Sequence, residues 1–264
     1  MNVKKLLLIL LLANFVFAGF QLQDFEITIK LNEDGNANVE EKIRIMINDS
    51  YSRQLYESGY DKNALSNWQE ITNIDEIKIH LNRKNVDLKN IIILPQPPRK
   101  SISEDIWFTQ IIISYIASPY YDKDGNITNN TGITKIEKYK PRTTRFTLNE
   151  SAFNLQRTEN GDIRLDKKTT ISFILPTNAI IVNINPKIEN LNTTSKTLNW
   201  SGLTLVQFSL IYEIEQSLDK EVVGFFSDFQ KNISAIRFGQ EELTALAIAV
   251  ILICSYFYLK ISRR

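Results

Sequence analysis

The sequence predicts a mainly β (α+β) protein: a β-sandwich-like ectodomain in one or two subdomains, with a short helical insertion, followed by an amphipathic juxtamembrane helix and one transmembrane helix. Three observations carry this. Short runs alternating apolar and polar residues recur about every 8 to 12 positions, punctuated by Gly, Pro, Asn and Asp. One stretch near the C-terminus instead repeats its apolar residues by threes and fours. The two ends of the chain are apolar and free of acidic residues, whereas the middle is not.

Residues 1–18 open with Lys4 and Lys5, run apolar from Leu6 to Ala13, and place the small residues Val16 and Ala18 where a signal peptidase reads. A basic region, an apolar core and a small-residue site in this order predict a secretory signal cleaved after Ala18, with a retained anchor as the alternative. Strict alternation follows over 25–31, with Phe25, Ile27, Ile29 and Leu31 on one face, and resumes over 37–47. Asp34-Gly35 between them suits a tight turn, so the pair reads as a β-hairpin.

Residues 49–72 change period. Leu55, Tyr56, Tyr60, Ala64, Leu65 and Trp68 recur near helical spacing, which predicts one broken or two short helices, with Asp61 able to cap the second. Strands are expected again over 74–81, 86–94 and 106–117, the last central, with Pro95-Gln96-Pro97-Pro98 as a rigid extended connector. The polar stretch 118–135 reads as a long exposed loop and divides the ectodomain into N-terminal (19–118) and second (119–216) β-rich subdomains. Further strands are expected over 142–148, 162–175, 179–184, 196–200 and 204–215, with a second hairpin signal at Glu159-Asn160-Gly161-Asp162.

Over 217–240, Leu218, Val222, Phe225, Phe226, Phe229, Ile233 and Ile236 form one helical stripe. It can fold back on the β domain, lie in the membrane interface or meet a partner, and Phe225, Phe229 and Ile233 are its candidate interaction face. Residues 243–259 then run uncharged for about 26 Å at helical rise, enough to span a bilayer with snorkelling flanks. Glu241 and Glu242 precede them, and Lys260, Arg263 and Arg264 follow. The positive-inside rule therefore puts the tail 260–264 in the cytoplasm and the N-terminal domain outside the cell membrane.

The formal charge of the whole chain is +1, but five of its 31 basic residues and none of its 30 acidic ones lie in 1–18 and 243–264. The part between carries 26 basic against 30 acidic residues, a net −4 that offers nucleic acid no attraction. The single Cys excludes an intrachain disulfide framework, and no metal or cofactor motif is present. The single His, His80, alternates with apolar residues and reads as an outward strand residue. Glu40-Glu41 sits on a strand and must point to opposite faces, whereas Asp122-Lys123-Asp124-Gly125-Asn126 reads as a solvated turn. Cys254 falls within the span and reads as a small apolar residue. Seven sequons, at Asn48, Asn126, Asn129, Asn149, Asn192, Asn199 and Asn232, all lie on the expected outer side and are candidate glycosylation sites.

The run from Ile29 to Glu41 (Ile29-Lys-Leu31-Asn-Glu-Asp34-Gly35-Asn-Ala37-Asn-Val39-Glu-Glu41) resembles a start common among prokaryotic membrane-anchored surface proteins, many of them in uncharacterised archaeal families. These join a signal peptide and an L-x-x-D-G-x-A-x-V-x-E hairpin to a β-rich ectodomain and a C-terminal span. The resemblance implies that architecture and a cell-surface, N-glycosylated setting, and it carries no catalytic residue. The function expected is a non-enzymatic structural or interaction protein, or an accessory subunit of a membrane complex, contacting the bilayer through 243–259 and a partner through 218–238. The alternative is an envelope hydrolase whose carboxylates gather only in three dimensions.

Overall fold

Alternation becomes strand wherever one face can be buried. In β1 (Phe20–Leu31) Phe25, Ile27, Ile29 and Leu31 are buried, and in β2 (Ala37–Ile47) the odd-numbered residues are. The two pair antiparallel around a turn in which Asp34 Oδ1 accepts the Asn36 amide at 2.9 Å and Gly35 takes φ +83°. The computed structural model describes residues 19–102, 105–140, 142–188 and 196–215, all within one unit ending at Glu215. The expected signal 1–18, amphipathic stretch 217–240, span 243–259 and tail lie outside the described residues. Among the described residues no helix is long and apolar enough to cross a membrane.

The remaining elements are α1 (Ser50–Ser58), α2 (Leu65–Thr72), β3 (Asp87–Pro95), β4 (Arg99–Lys100), β5 (Trp107–Ser118), β6 (Thr134–Lys140), β7 (Thr143–Leu148), β8 (Ile163–Arg164), β9 (Thr169–Ile174), β10 (Ala179–Asn185), β11 (Thr197–Ser201), β12 (Thr204–Leu205) and β13 (Ser209–Glu215). The fold is mainly β with two α-helices. One sheet of seven strands runs β11-β9-β1-β2-β5-β3, with β4 also on β5; a second of four runs β10-β13-β7-β6, and β12 pairs β8. The buried faces of the two large sheets contribute to one core, in which Phe146 and Tyr212 stack at 4.9 Å and Phe173 meets Phe153, Trp200 and Phe208.

The seven-stranded sheet includes strands from both sides of the expected boundary at 118. β9 pairs in parallel with β1, and β11 pairs with β9, so the segment after the long loop completes the sheet begun before it. Such pairing between distant strands leaves no local pattern. Residues 74–81 form turns rather than a strand, with only Leu81 bridged to Phe153. The run expected over 162–175 breaks into β8 and β9 at a turn closed by Thr169 N–H to Asp166 O. β6 occupies the end of the expected loop; as an edge strand exposing most of its side chains, it has no alternation to read.

The helical insertion divides as its pattern required. Asp49 caps α1, accepting the amide and hydroxyl of Ser52, each at 2.7 Å, while Asp61 falls in a single 3₁₀ turn and α2 starts at Ala64 without a side-chain cap. Tyr56, Tyr60 and Trp68 form an aromatic cluster, with Tyr56 and Trp68 fully buried 4.8 Å apart. The proline connector closes over it: Gln96 O accepts hydrogen bonds from Tyr56, Tyr60 and Thr109.

Gly35 is constrained twice, by its positive φ and by Ile136 Cδ1 of β6, against which a Cβ would collide. Gly35→Ala is therefore expected to lower stability by about 1–3 kcal/mol, measured as a lower denaturant midpoint at unchanged slope.

Candidate functional site

β2 turns its odd-numbered residues to the core: Ala37, Val39, Glu41, Ile43, Ile45 and Ile47. Glu41 is thus a carboxylate with no exposed surface, whereas Glu40 faces outward, the split the strand period demanded. A buried carboxylate is tolerable only if its oxygens are hydrogen-bonded. Three donors meet this one. Oε1 accepts the His80 backbone N–H at 3.0 Å and the Tyr115 hydroxyl at 2.5 Å, and Oε2 lies 2.7 Å from His80 Nδ1. Tyr115 comes from β5, directly across from Val39, and His80 from the turn-rich segment after α2.

The expectation of an outward histidine is overturned. His80 is 5% exposed, its ring packs 4.5 Å from Phe25, and the backbone around it is not a strand. Because a carboxylate only accepts, the ring donates to Glu41 through Nδ1 and leaves Nε2 for another partner. Among the described residues Nε2 has no hydrogen-bond partner, and it is not sealed from solvent. The ring lines a narrow cleft of about 60 Å³ together with Asp75, Glu76, Lys78, Asn154, Gln156 and Arg164. A carboxylate-oriented imidazole open to a cleft can accept a proton or a hydrogen bond. Among the described residues no cluster of His, Cys, Asp and Glu has a metal-binding arrangement. Burial, then the nearby Glu41 charge and the hydrogen bond to it, holds the Tyr115 hydroxyl well above the ordinary tyrosine range.

A second feature is the outward face of the seven-stranded sheet. Strand register sorts it into three zones. β9 and β11 contribute Thr170, Ser172, Asn199 and Ser201; β1 and β2 contribute crossed charges; β5 and β3 contribute Ile112, Ile116, Ile92 and Leu94. In the middle zone Arg44 bonds both oxygens of Asp24 at 3.0 and 3.2 Å, and Lys42 pairs with Glu40 at 2.7 Å. In the third, Ile92, Leu94 and Phe108 are 52, 47 and 42% exposed. Beside Phe108 a groove of about 390 Å³ runs between Arg44 and Arg99.

No protein-family model matches the chain, and no curated protein matches it in sequence. Among solved structures the chain is similar to the folded domain of LppM from Mycobacterium tuberculosis, determined by NMR, at 10% identity over 77% of this chain and 95% of that one, with a TM-score of 0.27. A superposition of that quality assigns neither fold family nor function.

Four of the sequon asparagines are exposed: Asn48 after β2, Asn126 and Asn129 in the long loop, and Asn199 on the outward face of β11. Asn149 is buried, and its Nδ2 donates to the carbonyls of Asn130 and Gly132, both at 3.0 Å. A glycan there would have to displace both bonds, so this side chain ties the loop to the fold. Asn192, Asn232, Phe225, Phe229 and Ile233 lie outside the described residues. Asp122 organises a turn, its Oδ1 accepting the amides of Asp124 and Asn126. The sequence signal for Glu41 was available: it is the one charged residue among the core-facing positions of β2.

Removing one member of a buried pair leaves the other uncompensated. Glu41→Leu is expected to cost about 3–5 kcal/mol, and Tyr115→Phe about 1.5–3 kcal/mol, in denaturant titrations at neutral pH. Tyr56, Tyr115 and Tyr212 are all raised by burial. Unfolded tyrosines ionise near about pH 10 while these stay neutral, so above that pH the unfolded chain binds fewer protons and stability falls as pH rises. The denaturant midpoint should decline from about pH 10 upward, and less steeply in Tyr115→Phe.

Proposed function

We propose that this is a non-enzymatic interaction protein of the cell envelope, anchored in the membrane by residues 243–259 with its β domain outside and residues 260–264 in the cytoplasm. The anchoring rests on the sequence: a signal-like start, an uncharged run flanked by acids before it and bases after it, and no acidic residue in either end. The interaction role rests chiefly on the apolar zone of the outward sheet face, where Ile92, Leu94 and Phe108 stand exposed beside an ordered charge ladder. The partner is another envelope protein presenting an apolar surface rimmed by charge. Its contact is made with the face of the sheet and not by adding a strand at β3. That edge is blunted by a bulge, by Asn90 at φ +54°, and by Asn63 Nδ2, which already bonds Ile93 O at 2.9 Å.

The stripe containing Phe225, Phe229 and Ile233 supplies a further contact next to the bilayer. Exposed sequons at Asn126, Asn129 and Asn199 fit glycans placed away from the apolar zone.

Two measurements test this. In a Cys254→Ser background, cysteine placed at Lys123 should react in intact cells with a membrane-impermeant maleimide and cysteine at Ser262 should not; the reverse pattern would refute the topology. A photo-crosslinker at Ile92 should trap one defined envelope protein in native membranes, whereas the same probe at Thr170 should not. Equal trapping at both positions would remove the apolar zone as the docking surface.

A further inference from the structure

We propose that the cleft at His80 is a carbohydrate-binding site that takes the hydroxyls of a neutral sugar. The narrow part of about 60 Å³ opens into a groove of about 550 Å³, the two sharing Asp75, Glu76, Asp166 and Thr169 in their walls. Together they reach the size of a small-ligand site. At the narrow end sits His80, whose side chain is 6% exposed and whose Nδ1 is committed to Glu41, which leaves Nε2 to face the cleft with no hydrogen bond to another described residue. A ring held in one orientation by Glu41 offers Nε2 to a ligand hydroxyl at little cost in side-chain ordering.

The donor is best a hydroxyl. Across the cleft and groove the acids Asp75, Glu76 and Asp166 stand against the bases Lys78, Arg164, Lys167 and Lys168, and Arg164 lies 3.8 Å from Asp166. The charges nearly cancel, so no net field selects an anion or a cation. What remains is a wall mixing acceptors with donors, and a hydroxyl is the group that can serve both. At the outer end Phe20 is half-buried and lines the groove, offering an apolar ring for the C–H face of a sugar.

The single histidine makes the test direct, because selective labelling of its imidazole yields one resonance from one site. The full-length chain, held in a detergent without a sugar headgroup, is titrated with glucose, galactose, mannose and N-acetylglucosamine to about 50 mM, within reach of a weak site. At least one sugar should shift the His80 resonance saturably. Asp75→Ala, judged against that variant's own sugar-free resonance, should weaken that binding roughly tenfold. Phe20→Ala should weaken it in the same direction. Absence of a shift with all four sugars, binding unaffected by Asp75→Ala, or a larger saturable shift with acetate or ethylammonium would overturn the proposal. None of these outcomes bears on the outward sheet face, so the docking role stands or falls separately.

Discussion

A carboxylate without access to water dictates how this molecule closes. Glu41 occupies a core-facing position of β2, where it can persist only if donors are brought to it. One comes from β5, next to β2 in the sheet, and two come from a single residue on the segment following α2. That segment, from Asn73 to Val86, has almost no ladder hydrogen bonds of its own. Ile74, Ile77 and Leu81 supply its buried area, Glu41 ties it to β2, and hydrogen bonds of His80, Asn82 and Asn85 tie it to residues 151–154. Apolar burial alone would allow a sliding fit; the carboxylate, demanding one N–H, one ring nitrogen and one hydroxyl at fixed places, admits a single register.

Much of the β architecture was legible because a sheet with one wet face writes its period into the sequence. The β1–β2 hairpin, its Asp34-Gly35 turn and the alternation of β5 are readable from residue types alone. The helices over 49–72 were equally plain, since Leu55, Tyr56, Tyr60, Ala64, Leu65 and Trp68 recur near helical spacing. The parallel union of β9 with β1 was not legible: its partners lie more than a hundred residues apart, and nothing local distinguishes a strand that pairs nearby from one that pairs far away.

The site failed in sequence for a related reason. Ile77-Lys78-Ile79-His80-Leu81 has the surface form of a half-buried strand, which put His80 on the wet side with the lysine. In the fold the chain turns there, and Ile77, His80 and Leu81 are the buried residues. Local alternation was present without the neighbouring strand that would give it meaning. The better clue lay elsewhere, in an acid at the one core-facing position of β2 where every other residue is apolar. A buried acid predicts a donor partner, and the sole histidine of the chain was the strongest one available.

The two surfaces of the seven-stranded sheet therefore divide the labour. On the inner side the apolar residues are consumed by the core, and the single charge is spoken for by His80 and Tyr115. On the outer side nothing in the fold requires Ile92, Leu94 and Phe108 to be apolar, because Ser114 and Gln110 next to them show that polar residues fit the same face. Asp24 pairs with Arg44 across β1 and β2, and Glu40 with Lys42 along β2, so these charges are already matched within the face. A zone that is apolar without being needed for folding, bounded by charges already neutralised, presents little desolvation penalty to an approaching protein. That asymmetry is the physical ground for proposing the outer face as a surface for contact, while the buried carboxylate with its donors lies on the inner one.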